Sequence, residues 1–172
     1  LFIDTGCSIA WAMQSMKVRK GQRIFHDFNN TAMGWALPAF IGGYFADSSQ
    51  ENLCIIGDGS FMMTMQELST VMHHKIKLKI IIINNSGYSM IKQTQDQWLN
   101  SNYVASSKEG GISFPNYQKL SEAFNLEYLT MRYTKSDIGY ERNGWETINK
   151  DGHKVGTKYI KVHRDGTQEH MV

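Results

Sequence analysis

LCIIGDGSFMMTMQELSTVMHHKIKLKIIIINNSGYSM, residues 53–90, reads as strand, glycine loop, helix, strand and loop. Leu53 to Ile56 is a short apolar run that stops at Gly57-Asp58-Gly59-Ser60, as a buried parallel strand does where it empties into a functional loop. Phe61, Met65, Leu68 and Met72 recur at helical spacing and predict one apolar face of a single helix. Ser60 suits the N-cap of that helix, and the glycines around it let backbone N–H groups approach a ligand. A helix N-terminus so placed favours phosphate. Lys77 to Ile83 predicts a second buried strand, which ends at Asn84-Asn85-Ser86-Gly87.

A right-handed strand-helix-strand crossover brings both loops to the carboxyl edge of one parallel sheet, where such folds bind their ligands. Asp58 then offers a carboxylate and Asn85 an amide oxygen across adjacent strand ends. A loop carbonyl, such as that of Gly87, adds a third oxygen. Three hard oxygens beside a phosphate cradle suit Mg²⁺, which keeps some water and takes phosphate oxygens as further ligands.

GDG, the span from Ser60 to Ile83, and then NN resembles the cofactor-anchoring signature of thiamin diphosphate-dependent enzymes. The flanking text is most similar to the acetolactate synthase-like family over Leu1 to Met131, which corresponds to that family's C-terminal cofactor-binding domain. The resemblance implies a doubly wound parallel α/β sheet in three layers, α/β/α. Its cofactors would be thiamin diphosphate and Mg²⁺, with Asp58, Asn85 and Gly87 as metal ligands. Gly57, Gly59 and Ser60 would hold the diphosphate.

Other segments extend the likeness. Leu1 to Asp4 opens as a strand, and Thr5-Gly6-Cys7-Ser8 leads into a helix from Ile9. This loop touches the diphosphate in the family, often through a Gln-His pair, so Gly6, Cys7 and Ser8 are candidate contacts. Ser8 reads equally well as a helix cap. His26 to Met33 is a polar loop before an apolar helix in which Pro38 fits the first turn. Met33 is a core residue on composition. Its place in Ala32-Met33-Gly34 matches the family motif whose bulky side chain props the cofactor into a bent shape, and that reading is preferred. Tyr88 to Gln95 resembles the segment that closes over the cofactor, which makes Tyr88 and Met90 candidates. Thr94 stands where the family usually has an aromatic residue beside the acceptor pocket.

The 172 residues are 41% hydrophobic and 20% charged, with a formal net charge of +2. That is a globular composition with enough chain for a full core, and it gives no reason to expect nucleic acid or an anionic membrane as partner. The longest apolar run is too short to span a bilayer. Two cysteines, Cys7 and Cys54, form neither a disulfide framework nor a metal cluster and suit the cytoplasm, with Cys54 a small core residue of its strand. Asn100 to Phe114 suits a mobile loop over the site. A helix over Gln118–Phe124, with Leu120, Ala123 and Phe124 inward, and a strand over Leu126–Met131 continue the sheet. Residues 132–172 turn polar and lack the amphipathic helix the family places there. They predict two hairpins at Asp151-Gly152 and Asp165-Gly166, or a final parallel strand at Lys158–Val162. The division expected is 1–131 as cofactor-binding core and 132–172 as a divergent tail that completes the sheet or stands apart from it.

The chain opens without Met inside a strand, which predicts a piece of a longer protein whose upstream domains lie before it. The resemblance implies an enzyme that decarboxylates a 2-keto acid and transfers the resulting acyl carbanion to an acceptor. It also implies a homodimer or homotetramer, with the activating glutamate in the upstream domain of a second subunit, so no catalytic residue is assigned here. The isolated chain is expected to bind cofactor weakly and turn nothing over. A 2-keto acid decarboxylase of the same superfamily is the nearer alternative. A non-catalytic nucleotide- or phosphate-binding module is the alternative from another class.

Overall fold

The computed structural model describes residues 1–136, 139–148, 154–162 and 168–171, with side chains described through Thr130. Two compact units divide the chain, Leu1–Pro115 and Asn116–Val172.

The first unit is built on a parallel sheet. Its elements are β1 (Phe2–Ile3), α1 (Cys7–Ser15), β2 (Phe25–His26), α2 (Ala36–Ala46), β3 (Cys54–Gly57), α3 (Asp58–Thr64), a 3₁₀ turn (Met65–Glu67), α4 (Leu68–His73), β4 (Ile80–Ile83) and α5 (Ser89–Trp98). The strand order is β2-β1-β3-β4, with every pair parallel. From β1 the chain steps to β2 on one side, then crosses back over β1 to β3 and moves on to β4. Right-handed crossovers therefore put α1 on one face and α2, α3 and α4 on the other. This is the doubly wound, three-layer α/β arrangement expected, with its switch point between β1 and β3.

The core sits where α2 packs on β1 and β3. Phe2, Ile3, Leu37, Phe40, Cys54 and Ile56 are buried, and the Phe2 ring stacks on Phe25 and meets Phe40 edge-on. A Cβ at Gly43 would overlap the Phe2 ring, so this glycine permits the close approach of helix and strand. Burial raises the Cys54 thiol to about 12, with the negative charge of Asp4 adding to the effect, and the residue behaves as the core side chain expected.

Several expectations need correction. The helix after the glycine loop is broken: α3 gives way to the 3₁₀ turn before α4 begins. Phe61 and Leu68 are buried as expected, but Val71 takes the core position and Met72 is 45% exposed. The 3₁₀ turn is wound more tightly than an α-helix, which moves the inward position back by about one residue. β2 was unforeseen, because Phe25 and His26 stand in polar text and Phe25 is itself 42% exposed, so no buried run marks the strand. The four isoleucines of β4 form an edge strand rather than a buried one, and Ile81 is 41% exposed.

Residues 100–114 are not a free cover. Ser106 and Ser107 are buried. The Ser106 hydroxyl donates to Gln95 Oε1, the Gln95 amide donates to the Val104 carbonyl at 2.9 Å, and the Tyr88 N–H donates to the Ser106 carbonyl at 3.0 Å. The segment buttresses the loop after β4.

In the second unit, α6 (Tyr117–Ala123) is capped by the Asn116 side chain, which accepts the Lys119 N–H at 3.0 Å. Tyr117 is buried and Ala123 is exposed, which corrects the inward face expected for this helix. Then β5 (Tyr128–Ser136), β6 (Gly139–Ile148), β7 (Lys154–Val162) and β8 (Gln168–Met171) form an antiparallel meander in sequence order. The strand expected from Leu126 therefore opens a second sheet, and Lys158–Val162 lies in an antiparallel strand rather than a parallel one. Antiparallel neighbours need only short turns, whereas joining the parallel sheet needs a crossover of a dozen residues or more, for which the polar tail offers no amphipathic helix. The turn residues Asp151-Gly152 and Asp165-Gly166 lie outside the described residues.

Candidate cofactor site at the switch point

Register brings the two key loops level. Gly57 at the end of β3 lies opposite Ile83 at the end of β4, so Asp58 and Asn84-Asn85 emerge side by side. Asp58 is only 2% exposed. Its Oδ1 accepts the N–H of Gly59 at 2.8 Å. Its Oδ2 accepts the N–H of Asn85 at 3.1 Å and that of Gly87 at 3.3 Å. The same Gly87 N–H lies 3.1 Å from Asn85 Oδ1, so one N–H holds a carboxylate oxygen and an amide oxygen side by side. Asn85 is held in that orientation by its Nδ2, which donates to Ser89 Oγ at 2.6 Å.

This arrangement fits a divalent ion. Among the described residues no side-chain cation pairs with Asp58, so its buried charge is offset by backbone dipoles alone. A buried carboxylate usually pairs with a cation or coordinates a metal. Nor do three His, Cys, Asp or Glu side chains meet anywhere among the described residues. A metal at this edge therefore takes one acid and neutral oxygens, a hard set suited to Mg²⁺.

The neighbouring candidates gather around the same edge. Gly6, at φ +97°, is the N-cap of α1, so Cys7 and Ser8 are the first two helical residues. Ser8 is thus not the cap. α3 likewise starts at Asp58 with Gly57 before it and no side-chain cap, which places Ser60 inside the first turn. Met33 is 38% exposed and so is not a core residue of this chain. Tyr88 lies against the glycine turn: a Cβ at Gly59 would overlap its ring, which also meets Phe114 edge-on. Replacing Gly59 with Ala is therefore expected to expel the Tyr88 ring and lower stability by roughly 1–3 kcal/mol. In a Tyr88→Ala background the same substitution should cost clearly less, as urea unfolding of the double-mutant cycle would measure.

Sequence reasoning missed Asp4, Thr64 and Ser106. Asp4, at the end of β1, is fully buried. Its carboxylate accepts the N–H of Gly34 at 3.0 Å and of Ala36 at 2.7 Å. The available signal was an acid directly after the apolar run Leu1-Phe2-Ile3, without the glycine on either side that drew attention to Asp58. Thr64 and Ser106 carry no such signal, since a lone hydroxyl in a helix or polar loop is unremarked text.

A doubly wound α/β unit in which the ends of β3 and β4, next to the switch point, bring a carboxylate and an amide oxygen together has the geometry of a domain that binds a phosphorylated cofactor through a divalent ion. The chain belongs to the family described as thiamine pyrophosphate enzyme, C-terminal TPP binding domain, whose match covers residues 4–142. Its cofactor is accordingly thiamin diphosphate with Mg²⁺. Acetolactate synthase large subunit of Porphyra purpurea is 38% identical over 128 residues, 74% of this chain and 21% of that protein. Acetolactate synthase of Arthrospira platensis is 36% identical over 133 residues, 77% of this chain and 22% of that protein. Acetolactate synthase isozyme 1 large subunit of Escherichia coli is 30% identical over 149 residues, 87% of this chain and 25% of that protein. The chain thus spans about a fifth to a quarter of the length of these relatives. No helix among the described residues is long and apolar enough to cross a membrane.

Proposed function

We propose that this chain supplies the Mg²⁺-diphosphate grip of an acetolactate synthase-like carboligase. Asp58, Asn85 and the carbonyl of Gly87 hold the metal. Gly57, Gly59 and Ser60, with Gly6, Cys7 and Ser8 from the neighbouring loop, contact the diphosphate. Ala32 and Met33 support the rest of the cofactor, and Tyr88 and Met90 close over it. The observation that carries this reading is that Asp58 Oδ2 and Asn85 Oδ1 lie side by side at the ends of β3 and β4, bridged by the Gly87 N–H.

Bound thiamin diphosphate supplies the carbanion chemistry that removes carbon dioxide from a 2-keto acid and passes the acyl unit to an acceptor. The chain's own residues bind and orient. The activating glutamate, in this proposal, comes from upstream domains of a second subunit in a cytoplasmic homodimer or homotetramer. Residues 1–131 form the cofactor-binding core, and 132–172 form a divergent tail. All the proposed cofactor residues fall within Leu1–Pro115, and the family match ends at residue 142. A 2-keto acid decarboxylase is the second reading, favoured by Thr94. Its hydroxyl donates to the Met90 carbonyl at 3.2 Å, and it leaves a small polar group where the family usually has an aromatic one beside the acceptor.

Calorimetry of the intact protein should show preference for Mg²⁺-thiamin diphosphate over Mg²⁺-ATP. Equal affinity would favour a general phosphate-binding module instead. Product analysis with pyruvate then separates ligation from simple decarboxylation, and the 172-residue chain alone should show neither.

A further inference from the structure

The geometry points to Asp4 and Thr64 as positioning residues that fix Met33 by gripping Gly34 from both sides, an inference that rests on the cofactor reading above. Gly34 has its N–H bonded to Asp4 Oδ1 and its carbonyl bonded to the Thr64 hydroxyl at 3.0 Å. Both peptide groups flanking its α-carbon are thereby committed. Its φ of +86° and the crowding around it leave no other residue that fits. Asp4 also takes the N–H of Ala36, the first residue of α2, so the loop that carries Met33 is tied to the end of β1 at two points.

A fully buried carboxylate with no side-chain cation beside it, among the described residues, is costly unless its hydrogen bonds do something. Here they anchor one loop, and charge-assisted bonds of this kind are the strong ones. Met33 itself is more than a third exposed, so the packing of its side chain does little to hold it. Its place is set by its neighbour. Thr64 is the last residue of α3 and Asp58 the first. The proposed diphosphate grip and the Met33 prop are thus referred to the two ends of one seven-residue helix. Asp4 and Thr64 act through Met33 on the part of the cofactor beyond its diphosphate.

The test compares two probes on the intact protein in Mg²⁺: thiamin diphosphate, which reaches Met33, and inorganic pyrophosphate, which does not. Thr64→Val keeps the side chain's shape and removes the donor. It should weaken thiamin diphosphate about three- to tenfold while leaving pyrophosphate affinity unchanged, and Thr64→Ser should restore binding. Asp4→Asn should show the same split more strongly, and Thr64→Val carries the test if that variant does not fold. Equal weakening of both probes by Thr64→Val, or no change in either, overturns the clamp while leaving the cofactor reading intact. Wild-type protein with no preference for thiamin diphosphate over pyrophosphate overturns that reading and the clamp with it.

Discussion

Asp58→Asn is expected to lower the Mg²⁺-dependent affinity for thiamin diphosphate by about 100-fold or more, equivalent to roughly 2.7 kcal/mol. The substitution keeps the side chain's shape but removes the one acidic oxygen donor at the edge shared by β3 and β4. In the wild type three N–H groups, those of Gly59, Asn85 and Gly87, point at that carboxylate. An asparagine presents one acceptor oxygen and an amino group, and the amino group must face donors it cannot accept from. Folding should therefore lose about 1–3 kcal/mol, the cost of leaving buried donors unmet. The decisive comparison is titration with and without chelator. Wild-type affinity should collapse when Mg²⁺ is removed, whereas Asp58→Asn should bind weakly and equally under both conditions. A variant that keeps its full response to Mg²⁺ would show that the ion is held elsewhere.

Asp58 and Asn85 were legible from the text because each follows an apolar strand, and register does the rest: once Gly57 and Ile83 are partners, the residues after them must be neighbours. What the text did not carry is long-range or phase-dependent. Asp4 looks like any acid at a strand end, and its importance depends on a loop some 30 positions away returning to it. The break after Thr64 was hidden because Phe61, Met65, Leu68 and Met72 are compatible with unbroken α-helix. Only packing shows that Val71, not Met72, faces inward. The isoleucine run of β4 misled for a related reason, since composition cannot distinguish a central strand from an edge strand. Beyond Arg132 the sequence offered hairpins and a parallel strand as rivals. The absence of a crossover helix was the better guide, because a parallel strand cannot be reached without one.

Gly34→Ala is expected to cost roughly 2–4 kcal/mol of stability, combining left-handed backbone strain with overpacking. At φ +86° an alanine is strained before any contact is considered. Its Cβ would then lie 2.9 Å from Met63 Cβ, 3.0 Å from Thr64 Cγ2 and 3.1 Å from the Ser60 carbonyl oxygen. Met63 Cβ and the Ser60 carbonyl are fixed to the backbone of α3, and turning Thr64 would break its hydrogen bond to Gly34, so relief requires moving the helix or the loop. Gly42 is the control. It lies within α2, with nothing within 4 Å of an added Cβ, and Gly42→Ala should stabilise by about 0.5–1 kcal/mol through helix propensity alone. Denaturant midpoints should therefore move in opposite directions for two substitutions of identical chemistry. Should Gly34→Ala leave the midpoint unchanged, the loop does not hold the backbone described, and the link from Asp4 through Gly34 to Thr64 fails with it.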